Sequence, residues 1–393
     1  MKKKIIFVLE GFSNLSEANA ICISDIINEL KNLEVDCTVI SVDPPDSIKQ
    51  KNVISCTYSP NKRLNGIFRI INKILLMPIS RPSVVKLLHK KIEEQLKSEK
   101  YDALIAVVNP VESAEAVKNI SNIKKILYEI DPASNRYKTP RSFLEKYTKR
   151  RSIKWEKKSY SLFDIIIHME THRKHFVEIF KDDFIDRTVY LDIPSLKINV
   201  REKLYHVEDT PYRFLYAGAF YPKLRNPDRM IQIFIELLNT YKLNIIFEIY
   251  TGKNMFTHIQ KLITGFEDKI LLHPYIKPEE LNEIINNTDV LVDLGNSESD
   301  FLPSKPFLYI GTGKPIIHFS PDCDDVSIDY IKKYTGSLII NQNDNDKEII
   351  ESIVEFVNSL SCYYPPKKED IEKIFEKNTT QYTAHRIVEL LNG

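Results

Sequence analysis

The chain has 393 residues, 43% hydrophobic and 28% charged, which is enough for two cores of ordinary size. No run of eighteen apolar residues occurs, and the apolar stretch of "MKKKIIFVLEGFS" is too short for a signal peptide and lacks a small-residue cleavage site. The five cysteines (Cys22, Cys37, Cys56, Cys323, Cys362) are scattered, which points away from structural zinc and a disulfide framework and towards a reducing cytoplasm.

The net charge of +1 conceals an asymmetry. Residues 1–200 carry 34 Lys+Arg against 25 Asp+Glu, and the rest carry 21 against 29, so a basic half precedes an acidic one.

In chain order, "KKIIFVLEG" predicts a buried strand ending at Glu10 and Gly11, and "SEANAICISDIINELKN" a helix. "VDCTVISV" predicts a second strand. The stretch "NKRLNGIFRIINKILLMPISRPSVVKLLHKK" then interleaves Lys and Arg with aliphatic residues at helical spacing. "YDALIAVV", "KKILYEID" and "DIIIHM" predict three more strands. Between the last two lies a second basic stretch, Arg136 to Lys158, with ten basic residues and only Glu145 and Glu156 as acids. Such surfaces suit anionic lipid; the alternative is a solvated helix face. Nucleic acid is not expected, because the total charge is near neutral and no binding motif accompanies the patches.

The second half repeats the scheme. "YRFLYAG", "NIIFEIYTG", "DVLVDLGN" and "KPIIHFS" predict strands, interleaved with helices at "RMIQIFIELLNTY", "PEELNEIINNT" and "SKPFLYIGTG". A helix from Lys347 to Leu360 and a final one from Glu369 to Leu391 complete the chain. Continuous apolar strands separated by helices predict parallel sheets covered on both faces. The expected architecture is α/β, with two Rossmann-like domains facing each other across a cleft: residues 1–200, residues 201–366, and a C-terminal helix in 367–393 packing back towards the first.

The span "FLPSKPFLYIGTGKPII" looks phosphate-binding, yet it fits neither familiar loop. A Walker A motif would place Gly where Leu308 stands and Ser or Thr where Pro315 stands, and the dinucleotide fingerprint would place its third Gly at Ile316. Instead, Ser304 is a candidate N-cap and Pro306 suits a first helical turn. Free N–H groups, a hydroxyl and the Lys305 ammonium would then converge on an anion.

At these residues the chain resembles bacterial polysaccharide glycosyltransferases of the GT-B fold, close to the retaining family four group. The resemblance is carried by "DVLVDLGNSESDFLPSKPFLYIGTGKPII", by "YRFLYAGAFYPKLRNPDRMIQIF" and by "ILYEIDPASNR". It implies a hexosyltransferase using a nucleotide diphosphate sugar, a UDP-sugar foremost, with no cofactor and no metal. Its acceptor would be a glycan or a lipid-linked hydroxyl in surface polysaccharide assembly, and its place the inner face of the cell membrane.

Carried over by position, Gly218 would let the backbone approach the donor, while Arg225, with Lys223 as its rival, and Lys305 would neutralise the diphosphate. Asn296, Pro303, Ser304 and Gly11 would border the donor, and Tyr250, Thr251, Gly252 and Tyr275 would hold base and ribose; for the aromatics core packing is the alternative. The two glutamates that many retaining members carry eight positions apart fall on Asp300 and Leu308, so the ribose carboxylate is missing. Glu129 and Asp131, two apart at a strand end, are expected on one face at the acceptor, with Asp131 favoured as general base should the enzyme invert. In a retaining reaction the departing phosphate takes the proton. His168 and His172 lack a third ligand for a metal site, and His168 is an alternative base. A nucleotide-sugar epimerase and an inactive donor-binding scaffold remain as alternatives.

Overall fold

The computed structural model describes residues 2–12, 18–43, 52–57, 81–108, 110–135, 140, 142–200, 210–297, 302–322 and 324–393. Asp300, the first basic stretch as far as residue 80, and Arg136, Lys138 and Arg141 lie outside the described residues. The chain divides into two compact units, Met1–Pro194 with Lys377–Gly393, and Ser195–Glu376.

In the first unit, strands β1 (Lys4–Glu10), β2 (Asp36–Asp43), β3 (Val53–Thr57), β4 (Ala103–Val108), β5 (Lys124–Glu129), β6 (Ile165–Met169) and β7 (Thr188–Leu191) form one parallel sheet in the order β3-β2-β1-β4-β5-β6-β7. Alternation along each strand sends neighbouring apolar residues to opposite faces. Ile6, Val8, Leu104 and Leu127 pack with Val84, Leu88 and Ile92 of helix α2 (Pro82–Ser98). Ile5, Phe7, Val39 and Ile105 pack with Ile23, Ile26 and Leu30 of α1 (Ala18–Asn32). Ala384, Ile387 and Leu391, from the chain's last helix (Thr380–Asn392), join that second cluster.

In the second unit, β8 (Tyr212–Ala217), β9 (Ile245–Thr251), β10 (Ile270–Pro274), β11 (Val290–Leu294), β12 (Ile316–Ser320) and β13 (Ser337–Asn341) form a second parallel sheet in the order β10-β9-β8-β11-β12-β13. Phe214, Phe247, Val290 and Val292 form its core with Met230, Phe234 and Leu237 of the helix Asp228–Thr240. In both sheets the strand order reverses beside the first strand, and the loops leaving β8 and β11 flank that reversal in the second unit. Ligands of open α/β sheets bind outside the strand ends at such a switch point.

The expected single helix from Glu369 to Leu391 is instead two, Lys368–Ile374 and Thr380–Asn392. Thr379 is extended and accepts the Tyr382 N–H at 3.2 Å, capping a new helix where the chain passes from the second unit into the first.

Candidate functional site

Two loops meet at the switch point of the second unit. After β8, residues 221–225 turn tightly: the Tyr221 N–H donates to the Arg225 carbonyl at 3.1 Å and the Arg225 N–H to the Tyr221 carbonyl at 2.7 Å. After β11, the Ser297 N–H donates to the Leu224 carbonyl at 2.8 Å and its hydroxyl to the Lys223 carbonyl at 2.8 Å. This stitching sets the Arg225 guanidinium on Asn296, with Nε and Nη2 3.1 and 2.7 Å from Oδ1. The Lys223 side chain is exposed and contributes its backbone to this stitching.

Lys305 opens the short helix Lys305–Ile310. Its Nζ lies 4.4 Å from the centre of the Tyr216 ring and is buried, without a hydrogen-bond partner among the described residues. Burial pulls the ammonium pKa down to about 7; Asp293 pushes it up, and Arg225 pushes it down. A Cβ on residue 218 would lie 1.9 Å from Nζ, so Gly218 is the clearance in which the ammonium sits.

Behind the two cations runs a buried polar chain. Asp293 and His318 face each other across β11 and β12, with Oδ2 2.8 Å from Nδ1, and Asp325 Oδ2 lies 3.0 Å from Nε2. Burial disfavours the imidazolium, but the hydrogen bonds and charges of both aspartates lift His318 to about 9. Burial likewise opposes ionisation of Asp293, yet His318, with Lys305 and Arg225 behind it, holds its carboxyl below the usual range. A Cβ on residue 295 would meet Asp325 Oδ2 at 1.8 Å, so Gly295 admits the second carboxylate.

The other expected donor residues are placed less uniformly. Ser304 is in helical conformation and makes no capping bond through its side chain, a correction to its expected role as a hydroxyl cap. Pro303 and Leu308 are half-buried, and the Leu308 N–H faces the Ser304 carbonyl at 3.4 Å. The Tyr250 ring stacks on His273 with centroids 4.5 Å apart, and its hydroxyl donates to Glu248 at 3.3 Å. The Thr251 hydroxyl at the end of β9 is buried without a partner among the described residues. Tyr275, 55% exposed, lies against Gly252, where an added Cβ would approach its ring to 3.1 Å.

In the first unit the Gly11 N–H donates to Val42 at 3.0 Å, and Glu10 forms a two-oxygen pair with Arg81, Nη1 to Oε1 at 2.6 Å. Glu129 and Asp131 do not share a face. The strand ends at Glu129, so the alternation that would align residues two apart stops there. Glu129 is fully enclosed, bonded by the Tyr160 hydroxyl and 2.8 Å from His168 Nε2. Asp131, on the bend beyond, keeps 37% of its side chain exposed, with His172 Nε2 at 3.8 Å. Beside Glu129, Glu156 accepts the Ser134 N–H at 2.7 Å; burial and then the Glu129 charge push its carboxyl well above the ordinary range. Among the described residues no group of three His, Cys, Asp or Glu is placed to hold a metal ion.

Asp293, His318 and Asp325 escaped the sequence reading. Their signal was present: an Asp in "VLVDL" and a His in "IIHFS" are ionisable residues within runs that must be buried, and such groups need partners.

No protein-family model matches the sequence, and no curated protein does. Solved structures match over the full chain. The apo form of the lipopolysaccharide outer core galactosyltransferase WaaB is 15% identical, with 98% of each chain covered and a TM-score of 0.62. The chain has the GT-B fold. An S. aureus TarM variant in complex with fondaparinux, alpha-GlcNAc-glycerol and UDP is 12% identical, with all of both chains covered and a TM-score of 0.66. The UDP-GlcNAc 2-epimerase of Neisseria meningitidis, bound to UDP-GlcNAc, is 12% identical, covers 99% of this chain and 100% of its own, and has a TM-score of 0.57. At these identities the likeness is one of GT-B fold, and the chemistry rests on this chain's own residues.

Proposed function

We propose that the protein is a glycosyltransferase that moves a sugar from a nucleotide diphosphate donor to an acceptor hydroxyl during surface polysaccharide assembly. The observation that carries this reading is the Lys305 ammonium, buried without a hydrogen-bond partner among the described residues, beside Arg225 at the switch point of a GT-B sheet. An unpaired buried cation is costly, and a diphosphate would supply the missing partner.

In the reaction the bond from the anomeric carbon to the phosphate oxygen breaks, and negative charge grows on the departing nucleotide diphosphate. Lys305 and Arg225 would stabilise that charge. The anomeric carbon then bonds to the acceptor oxygen. The acceptor proton passes to the departing phosphate in the retaining hexosyl transfer that the family resemblance favours; in an inverting one it passes to Asp131. UDP is the favoured nucleotide, since the TarM and epimerase neighbours are held with UDP and UDP-GlcNAc. Tyr275 would then offer its exposed ring to the base.

A lipid-linked acceptor is supported by the helix Phe143–Tyr160. Phe143, Leu144 and Tyr147 are exposed at its start, and the exposed Arg150, Lys154 and Lys158 continue the same face at three- and four-residue steps. Aromatic and aliphatic residues beside cations would suit an anionic bilayer surface, and on that ground the proposed place of action is the inner face of the cell membrane. No helix among the described residues is long and apolar enough to cross a membrane.

The test is product analysis after incubation with UDP-sugars and lipid-linked or glycan acceptors. Transfer, or slow donor hydrolysis, supports the reading. A change in sugar identity would make the protein an epimerase, the reading favoured by its N. meningitidis neighbour. Binding without turnover would make it a scaffold, which Leu308 in the place of a ribose carboxylate favours. Asp131→Asn should leave UDP binding intact and lower transfer; equal losses of both would remove Asp131 from the acceptor side.

A further inference from the structure

We infer that His318, which touches no ligand itself, is a positioning residue for the phosphate-binding pair: clamped between Asp293 and Asp325, it fixes the charge that Lys305 and Arg225 can offer an anion. The inference rests on the donor-site reading above and adds a residue to it.

The geometry carries the argument. His318, Asp293 and Asp325 are at most 4% exposed, and both ring nitrogens of His318 lie within 3.0 Å of a carboxylate oxygen. One imidazole cannot donate from both nitrogens unless it is protonated, so two carboxylate partners select the imidazolium. The second carboxylate is itself fixed, since Asp325 Oδ1 accepts the Ser327 N–H at 2.9 Å and Gly295 leaves room for Oδ2. Among the described residues the charges acting on the ring are those of Asp293 and Asp325; β13 pairs Ile339 with His318, and Lys305 and Arg225 act on Asp293.

The charges then decide the outcome. Two carboxylates and one imidazolium leave a single net negative charge behind Arg225 and Lys305, so the cluster is net positive while Lys305 holds its proton, the form that a bound diphosphate favours. Loss of the His318 proton would leave two negative charges behind the anion site, offset both the Arg225 charge and the ammonium that a bound diphosphate draws onto Lys305, and free Asp293 to draw Lys305 away from the phosphates. His318 therefore gates anion affinity without touching the ligand.

Coupling between two binding events is reciprocal. If the His318 proton strengthens UDP binding by about tenfold, the scale of one charge acting over roughly 10 Å at an effective dielectric near 20, UDP must strengthen proton binding equally. The experiment is a pH titration of the imidazole nitrogens by NMR in wild-type protein labelled at histidine, with His318 assigned through bonds, with and without saturating UDP. Starting from about 9, the His318 pKa should rise by about one pH unit when UDP binds. His318→Gln, which keeps N–H donors and removes the charge, should bind UDP about tenfold more weakly at about pH 6.5, where Lys305 is still mostly protonated.

An unshifted His318 pKa in protein that demonstrably binds UDP overturns this inference and leaves the donor site standing. A wild-type protein that binds no UDP overturns both. A purely structural His318 would lower the stability of the variant without moving the wild-type pKa on UDP addition, and that result also overturns the inference.

Discussion

Replacing Lys305 by methionine should make the protein more stable and less able to bind its donor. Methionine keeps the length of the stem and removes the ammonium. A lysine held at about 7 instead of 10.5 destabilises the folded state by roughly 5 kcal/mol when the pH is well below 7, at about 1.4 kcal/mol per pH unit. The sign follows from the direction: the unfolded chain keeps the proton more tightly, so the cost is complete below the folded pKa. It fades as pH rises towards 10.5, and at pH 10 less than about 1 kcal/mol remains. The substitution also gives up the ammonium's contact with the Tyr216 ring, which offsets part of the gain. We expect a net stabilisation of about 2 to 3 kcal/mol at pH 6, shrinking to near zero at pH 10, read from urea unfolding midpoints of variant and wild type. UDP affinity at pH 7 should fall by about 2 kcal/mol or more, measured by calorimetry. A variant less stable than wild type at pH 6, or a gain that does not shrink with pH, would refute the claim that this ammonium is buried without compensation.

Gly218→Ala should separate stability from binding in the same place: the new methyl displaces only the mobile end of Lys305, so stability should change by less than about 1 kcal/mol while UDP binding weakens at least tenfold. An unfolded variant, or one that binds like wild type, would contradict the close approach. Glu156→Gln should gain stability over wild type as pH rises from 4 to 8, because an acid whose folded pKa is raised costs nothing below its unfolded value and more above it. Urea midpoints across that range check it, and a gap that closes with pH would count against a buried protonated Glu156. Phe143→Ser with Tyr147→Ser, or Lys154→Glu with Lys158→Glu, should each abolish flotation with phosphatidylglycerol vesicles. Each lost cation removes about 1 kcal/mol of attraction, and flotation unchanged by either pair would rule out this face as the membrane contact.

The strands named from the sequence are the interior ones of each sheet, and those it passed over are β3, β7, β10 and β13, the four sheet edges. The cause is burial. An interior strand such as β4 is buried at all six positions and reads as a continuous apolar run, whereas β7 and β10 are partly exposed along most of their length. Four or five half-exposed residues carry no periodicity that separates them from a loop. The site divided along the same lines. Arg225 and Lys305 were legible because they lie in loop and helix-start segments of recognisable pattern. Glu129 was misplaced because alternation describes a strand and says nothing of the bend at Asp131. For the Asp293–His318–Asp325 chain the sequence signals that Asp293 and His318 are buried and need partners, but which partners depends on register: residues 25 positions apart become neighbours only when β11 and β12 pair.

Two lysines nine positions apart, Lys305 and Lys314, make the same point about function. Lys314 belongs to the "GTGK" that most resembles a phosphate loop, yet it is 3% exposed and its ammonium donates to the carbonyls of Asn286 and Thr288 at 3.2 and 2.5 Å. Those carbonyls close the end of the helix Pro278–Asn286, where a cation is favoured by the unpaired C=O groups. That lysine is fully occupied by the fold, and drawing it to a ligand would strip the helix end of its partner. Lys305, in a plainer context, is the one whose charge no hydrogen bond among the described residues satisfies. Among buried cations, function is to be sought where the fold leaves the charge unanswered, and in this chain that criterion selects Lys305 and not the residue with the more familiar motif.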